Sequence, residues 1–331
     1  MTPIRNKHSV TDQGECRINL TLDPLAIILN SVALGDVIAA APVIKYMLDN
    51  HFTTPESHII VAKKLFRDVL HFVGDSSFRD FDSTEHPFWG IPSNFPVAML
   101  NTKSEAKFIR NTPKSVHLSQ FAGIKFCDRI IPLEELNYVP LKPVDVSKFG
   151  VDFSKSVILV TTYRDDTRAW HAEHILGVAK WIKARGLTPV FIGKTDQNFQ
   201  VRDKIIIAKT TLPDDISEYG VDLRNKTSIP ELATIMGMSK AVCGVDSGPI
   251  HLAGTTETPI LCGYTSVAPE YRMPTRKVGK TYAITANIEC IGCESRWSAS
   301  FWNYEKCYLG HINCCKLLTP DRYIKILENI V

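Results

Sequence analysis

No apolar run in this chain is long enough to cross a bilayer. The most apolar early stretch, Leu25 to Val43, is interrupted by Asp36 and Pro42, whereas a spanning helix needs about 20 consecutive apolar residues. The N-terminus does not read as a secretory signal either, since Met1 to Arg17 is polar and charged with no apolar segment. The expectation is a cytoplasmic protein, with peripheral contact at the inner face of a membrane left open. A block of one charge sign is also missing. Residues 1–150 hold 16 basic and 16 acidic residues, residues 151–331 hold 22 and 19, and the net charge is +3. Nonspecific grip on duplex nucleic acid would need a basic face, and neither half supplies one. The nine cysteines are an odd number without a signal segment, which argues against a disulfide framework.

What is present is ordinary soluble material, 44% hydrophobic and 22% charged over 331 residues, enough for two domains with separate cores. Leu25 to Leu29 reads as a buried strand, followed by a turn through Gly35 and a helix whose regular part is expected to begin near Pro42. His58 to Val61 reads as a second strand and Leu65 to Phe72 as a second helix, whereas residues 75–100 read as irregular. Residues 136–150 carry two prolines and no periodicity, and are taken as the linker. The alternation then restarts: strands at Val157 to Val160, Pro189 to Ile192, Ala241 to Gly244 and Pro259 to Cys262, and helices at Ala172 to Ala184, Ser228 to Met238 and from Gly248. A last helix starts at Pro320, with Thr319 as its cap and Tyr323, Ile324, Leu327 and Ile330 on one face. The pattern is α/β. It predicts two doubly wound, Rossmann-like domains, residues 1–150 and residues 151–331, with a ligand cleft between their sheet ends.

Three segments carry chemistry. In Val242-Cys243-Gly244-Val245-Asp246-Ser247-Gly248-Pro249-Ile250-His251, a strand turns into a helix whose free amides attract phosphate. Ser247 adds a hydroxyl, Gly248 admits close approach, and His251 lies one turn in. A plain capped turn would use the same residues. In Thr161-Thr162-Tyr163-Arg164-Asp165-Asp166-Thr167-Arg168-Ala169-Trp170, Arg168 can neutralise a diphosphate, and the two threonines either face the ligand or cap a helix. In Ser31-Val32-Ala33-Leu34-Gly35-Asp36 up to Pro42, Asp36 is either a general base or a cap.

Taken together, these segments resemble glycosyltransferase family 9, the ADP-heptose:lipopolysaccharide heptosyltransferases. The longest match runs from Ser228 to Pro274, through Asp-Ser-Gly-Pro-Ile-His-Leu-Ala. Departures are Arg168, where the family commonly has Lys, and His171, where it usually has Pro. The resemblance implies a GT-B fold and inverting transfer from a nucleotide-diphosphate sugar to a lipopolysaccharide core or other glycan, with no metal or cofactor required. It implies Asp36 as base, and Thr161, Thr162, Arg168, Asp196, Thr227, Asp246, Ser247, Gly248 and His251 as donor contacts, with Asp196 on the ribose and Thr227 at the base. Lys63, Lys64 and Arg67 form a basic segment that suits an anionic acceptor or is simply a solvated face. A second function class is a transferase acting on modified, for example hydroxymethylated, nucleic-acid bases. A third is a nucleotide-sugar binding protein without activity, against which Asp36 speaks. The tail cysteines Cys290, Cys293, Cys307, Cys314 and Cys315 read either as free or partly paired thiols or as a structural zinc site using the first four, with His311 as a further possible ligand.

Overall fold

The computed structural model describes residues 25–29, 33–50, 58–80, 97–100, 116–194, 198–201, 204–207, 209–293, 307 and 309–331. Two parallel sheets organise them. The first has four strands, β1 (Leu25–Leu29), β2 (His58–Ala62), β3 (Phe78–Asp80) and β4 (Val97–Leu100), in the order β3-β2-β1-β4. Helix α1 (Leu34–Asp49) follows β1, and α2 (Leu118–Cys127) packs on α1. The second sheet has six strands: β5 (Ser156–Val160), β6 (Thr188–Ile192), β7 (Val221–Asp222), β8 (Ala241–Val245), β9 (Ile260–Tyr264) and β10 (Thr281–Thr285). Their order is β7-β6-β5-β8-β9-β10, the doubly wound arrangement that reverses direction between its first and fourth strands. Helices α3 (Ala172–Ala184), α4 (Ile229–Met238), α5 (Gly248–Ala253), α6 (Pro269–Arg272) and α7 (Pro320–Leu327) complete this half. Every residue of β1, β2, β5, β8 and β9 is buried, because a parallel sheet covered on both faces needs continuous apolar strands. Among the described residues no helix is long and apolar enough to cross a membrane.

Several local expectations are corrected. α1 begins at Leu34, not near Pro42, and runs through the proline. The ring removes one backbone bond, but Val37 to Ile44 are all buried in the core, and that burial outweighs the break. The segment after β2 is a 3-10 turn from Lys64 to Phe66, not an α-helix. Its bonds are mostly of the tight kind, such as Arg67 N–H to Lys64 O and Val73 N–H to Leu70 O, and they bury Phe66, Val69, Leu70 and Val73. Residues 75–100 hold two strands that patterning missed, because β3 and β4 are three and four residues long. The stretch 136–150 has no strand or α-helix, yet it buries Leu136, Tyr138, Val139 and Val146 instead of running exposed. Thr319 stands at the N-cap of α7 but makes no side-chain cap bond.

The two halves touch at bare backbone. A Cβ added at Gly35 would lie 2.8 Å from His251 Cδ2 and 3.4 Å from Gly248 Cα, and one at Gly248 would lie 3.3 Å from the Gly35 nitrogen. The start of α1 therefore meets the start of α5. Behind the second sheet, Tyr323 of α7 stacks on Trp170 with ring centroids 4.5 Å apart and donates to Gly244 O at 3.0 Å. A Cβ at Gly263 would sit 2.5 Å from that hydroxyl, so the glycine leaves room for a bond that anchors β8 two residues before Asp246.

Candidate active site

The reversal of strand order between β5 and β8 opens a crevice at their carboxyl ends. Thr161 follows β5 there, and Asp246 and Ser247 follow β8. Asp246 is buried and central. Its Oδ2 lies 3.2 Å from Arg168 Nη1, and its Oδ1 lies 3.6 Å from His251 Nε2. Burial pushes its pKa up, but Arg168, then His251 and Arg272, outweigh burial and hold the carboxyl well below the ordinary range. Asp246 is thus a carboxylate that fixes two donors, not a helix cap. Ser247 occupies the N-cap position of α5 without a cap bond, and its hydroxyl oxygen is buried with no hydrogen-bond partner. Leaving such a group unpaired costs about 1–3 kcal/mol, which a bound acceptor oxygen would remove.

Arg168 is oriented from its other side by Asp165, whose Oδ2 is 3.9 Å from Arg168 Nε and accepts from Arg164 Nη2 at 3.0 Å. The Thr161 hydroxyl donates to Ile192 O at 3.0 Å, joining β5 to β6. Thr162 lies against Gly193, where a Cβ would come 2.4 Å from Thr162 Cγ2. Neither threonine caps a helix: the N-cap of α3 is His171. Thr227 is half-buried beside Ser228, the N-cap of α4. Asp196 falls outside the described residues, as do Ser31 and Val32.

From the first half, Asp36 sits in the first turn of α1, whose N-cap is Ala33. It is 8% exposed, and its Oδ1 is 3.8 Å from Arg272 Nη1. Arg272 comes from the second half and acts electrostatically on Asp246 as well. Patterning did not single it out, although it lies inside the Ser228 to Pro274 signature, two residues before the closing proline. Tyr138, also missed, bonds His251 Nδ1 at 2.7 Å. Lys63 and Lys64 follow the carboxyl end of β2, half-buried and exposed respectively. Arg67 is held inside its own domain: it donates to Leu70 O and to Asp75, and lies 4.9 Å over the Phe78 ring.

A second tie across the halves is His117, which caps α2 and lies within 2.7 Å of Met273 O through Nε2. Burial above all, with His251 and Arg272 nearby, pushes its pKa from 6.5 to about 4. The unfolded chain therefore binds a proton between pH 6.5 and 4 that the folded chain refuses. The stability this site allows is complete above pH 6.5 and falls by about 3 kcal/mol towards pH 4. Urea unfolding across that window should follow this slope in the wild type and lose it in His117→Gln. Equal slopes in both would remove His117 as the source.

Cys290, Cys307, Cys314 and Cys315 of the tail are not joined in disulfides. Cys314 and Cys315 share a side-chain hydrogen bond, and Cys290 and Cys307 are close enough to influence each other electrostatically. Among the described residues no three His, Cys, Asp or Glu side chains are grouped to share an ion.

A family model described as glycosyltransferase family 9 (heptosyltransferase) matches residues 140–301, the span that holds Arg168, Asp246, Ser247, His251 and Arg272. Residues 140–301 are thus similar to glycosyltransferase family 9. Lipooligosaccharide heptosyltransferase 2 of Haemophilus influenzae is 25% identical over 107 residues, which is 32% of this chain. The match spans only 30% of that relative's length. Among solved structures, the iron-containing dodecameric glycosyltransferase TibC of enterotoxigenic E. coli superposes with a TM-score of 0.67 at 15% identity, over 93% of this chain and 76% of TibC. A family 9 transferase from Veillonella parvula gives 0.62 at 14% identity, over 93% and 97%. The matched residues therefore lie in the second half of a GT-B fold, with the first sheet in the other half.

Proposed function

We propose that the chain moves a heptose or similar sugar from a nucleotide-diphosphate donor, ADP-heptose or a close analogue, onto a glycan acceptor of the lipopolysaccharide type, with inversion at the anomeric carbon. The observation that supports it most is the juxtaposition across the Gly35–Gly248 contact. A buried carboxylate, Asp36, lies on one side, and Arg168, His251 and the unpaired Ser247 hydroxyl lie on the other. TibC has also been solved in complex with ADP-D-β-D-heptose, with a TM-score of 0.64.

In this reading Asp36 takes the proton of the acceptor hydroxyl as its oxygen bonds to the anomeric carbon. The bond from that carbon to the diphosphate oxygen breaks on the opposite face, and its electron pair leaves with the diphosphate. Arg168, the His251 N–H and Ser247 meet the developing charge with donors already in position. Asp246 aims Arg168 and His251, and Arg272 holds Asp36. Thr161, Thr162 and Gly248 line the donor crevice, and Asp196 and Thr227 are assigned to the ribose and the base. Lys63 and Lys64 are assigned to an anionic acceptor.

The test is a thermal-shift screen of nucleotide sugars, followed by a transfer assay with a lipopolysaccharide core acceptor. Donor at a hundred times its Kd stabilises by about 2.7 kcal/mol. ADP-heptose should raise the Tm and be consumed. A panel in which no nucleotide sugar shifts the Tm would end this reading. Because the donors at the proposed site are a guanidinium, an imidazole N–H and a hydroxyl, transfer is expected to proceed undiminished in EDTA. Activity that disappears in EDTA and returns with magnesium or manganese would contradict that. TibC is described as iron-containing; among the described residues here no three His, Cys, Asp or Glu side chains group to share an ion. The structural-zinc assignment of Cys290, Cys293, Cys307 and Cys314 rests on spacing, and unfolding in EDTA that zinc reverses would be its signature.

A further inference from the structure

Tyr138 stands in the stretch between the two sheets, and its hydroxyl reaches His251 Nδ1 at 2.7 Å. The side chain is 1% exposed. Burial pushes its pKa well above the ordinary value for a phenol, so the hydroxyl keeps its proton and has it to donate to Nδ1. The residue is held from several directions. Its backbone N–H donates to Thr275 O at 2.9 Å, the neighbouring Asn137 Oδ1 accepts from Lys277 N–H at 2.8 Å, and a Cβ at Gly254 would lie 2.9 Å from its ring. The hydroxyl therefore has a fixed position relative to α5.

We propose that Tyr138 is a positioning residue that fixes the tautomer of His251, keeping the ring proton on Nε2, where it faces Asp246 and the site assigned to the donor diphosphate. A neutral imidazole has one N–H and one acceptor nitrogen, and a hydroxyl that donates to Nδ1 leaves the proton on Nε2. That nitrogen is 3.6 Å from Asp246 Oδ1, beyond a strong hydrogen bond, so its N–H has capacity to turn to a phosphate oxygen. With the opposite tautomer, Nε2 would present a lone pair to a dianion. The diphosphate part of the proposal rests on the functional reading above, whereas the tautomer does not.

The experiment has two parts. In the wild-type protein at pH 8, 15N spectra of labelled histidine should give His251 a pyridine-type Nδ1 and a pyrrole-type Nε2. In Tyr138→Phe the two tautomers should mix. A wild-type spectrum with the proton on Nδ1 overturns the proposal, whether or not any variant folds. In the kinetic part, Tyr138→Phe should lower kcat by about tenfold, the scale for removing a partner that orients a working imidazole, with donor KM changed less than twofold. Combined with His251→Asn, Tyr138→Phe should add no further loss. An equal loss in both backgrounds means that Tyr138 does not act through His251, and overturns the proposal. An Nε2 tautomer that depends on Tyr138, in a protein that transfers no sugar, upholds the positioning role and sinks the functional reading instead.

Discussion

Asp36→Asn is expected to leave the fold and the donor affinity intact while turnover drops about 10²-fold or more. The amide has the same shape as the carboxylate and sits in the first turn of α1, where no side-chain cap is lost. Its carboxylate lies 3.8 Å from Arg272 Nη1, beyond hydrogen-bond length, so the stability cost of weakening that contact is expected to be small. The change instead removes the capacity to take a proton, and a positioned base contributes about 10²–10⁴-fold. Donor binding read by thermal shift should match the wild type, because the residues proposed to hold the donor lie on the other half. Near-normal kcat in the Asn variant would take Asp36 out of the mechanism and turn attention to another carboxylate.

Arg168→Met should lose turnover and stability together. Its guanidinium is proposed to meet the leaving diphosphate, and removing one such preorganised donor costs about 10²–10³-fold in kcat. It also pairs with Asp246, and the two side chains are 13% and 6% exposed. A methionine leaves that carboxylate buried without its main counter-charge, which costs about 3–5 kcal/mol. Adding Asp246→Asn to Arg168→Met should restore much of the stability and none of the activity, because the uncompensated charge is then gone. Arg168→Lys should fall between, keeping the charge but not the fork. In the wild type, the depressed pKa of Asp246 adds stability that is full above about pH 4 and is lost as pH falls below it. Equal urea midpoints for wild type and Arg168→Met would refute the structural half of this expectation.

Most of the second half was legible in the sequence. Its long strands are uninterrupted apolar runs, and α3, α4 and α5 carry ordinary start signals, so patterning and structure agree within a residue or two. β10 was not read, because Thr281, Tyr282 and Ala283 are not fully buried and the segment lacks an apolar run. In the first half the rule against proline inside helices misplaced the start of α1. Local chemistry argued for a break at Pro42, and the surrounding core overrode it. The candidate site was legible where its residues sit next to a strand–helix junction, as at Asp246, Ser247 and Asp36. It was not legible at Arg272, Tyr138 and His117. Each of these acts on a partner more than 100 residues away along the chain, and no local spacing encodes such a meeting.

The contact between Gly35 and Gly248 bears on how this fold could be rebuilt. The two halves meet there with no side chain on either glycine, while His117 at Met273 O and Asp36 at Arg272 tie them elsewhere. A chimera that grafted a different first half onto this second half would have to keep those partners as well as the two glycines and the histidine one turn beyond the second. An alanine at the Gly35 position would push its methyl into the His251 ring, and the graft would fail at the histidine before any acceptor had bound.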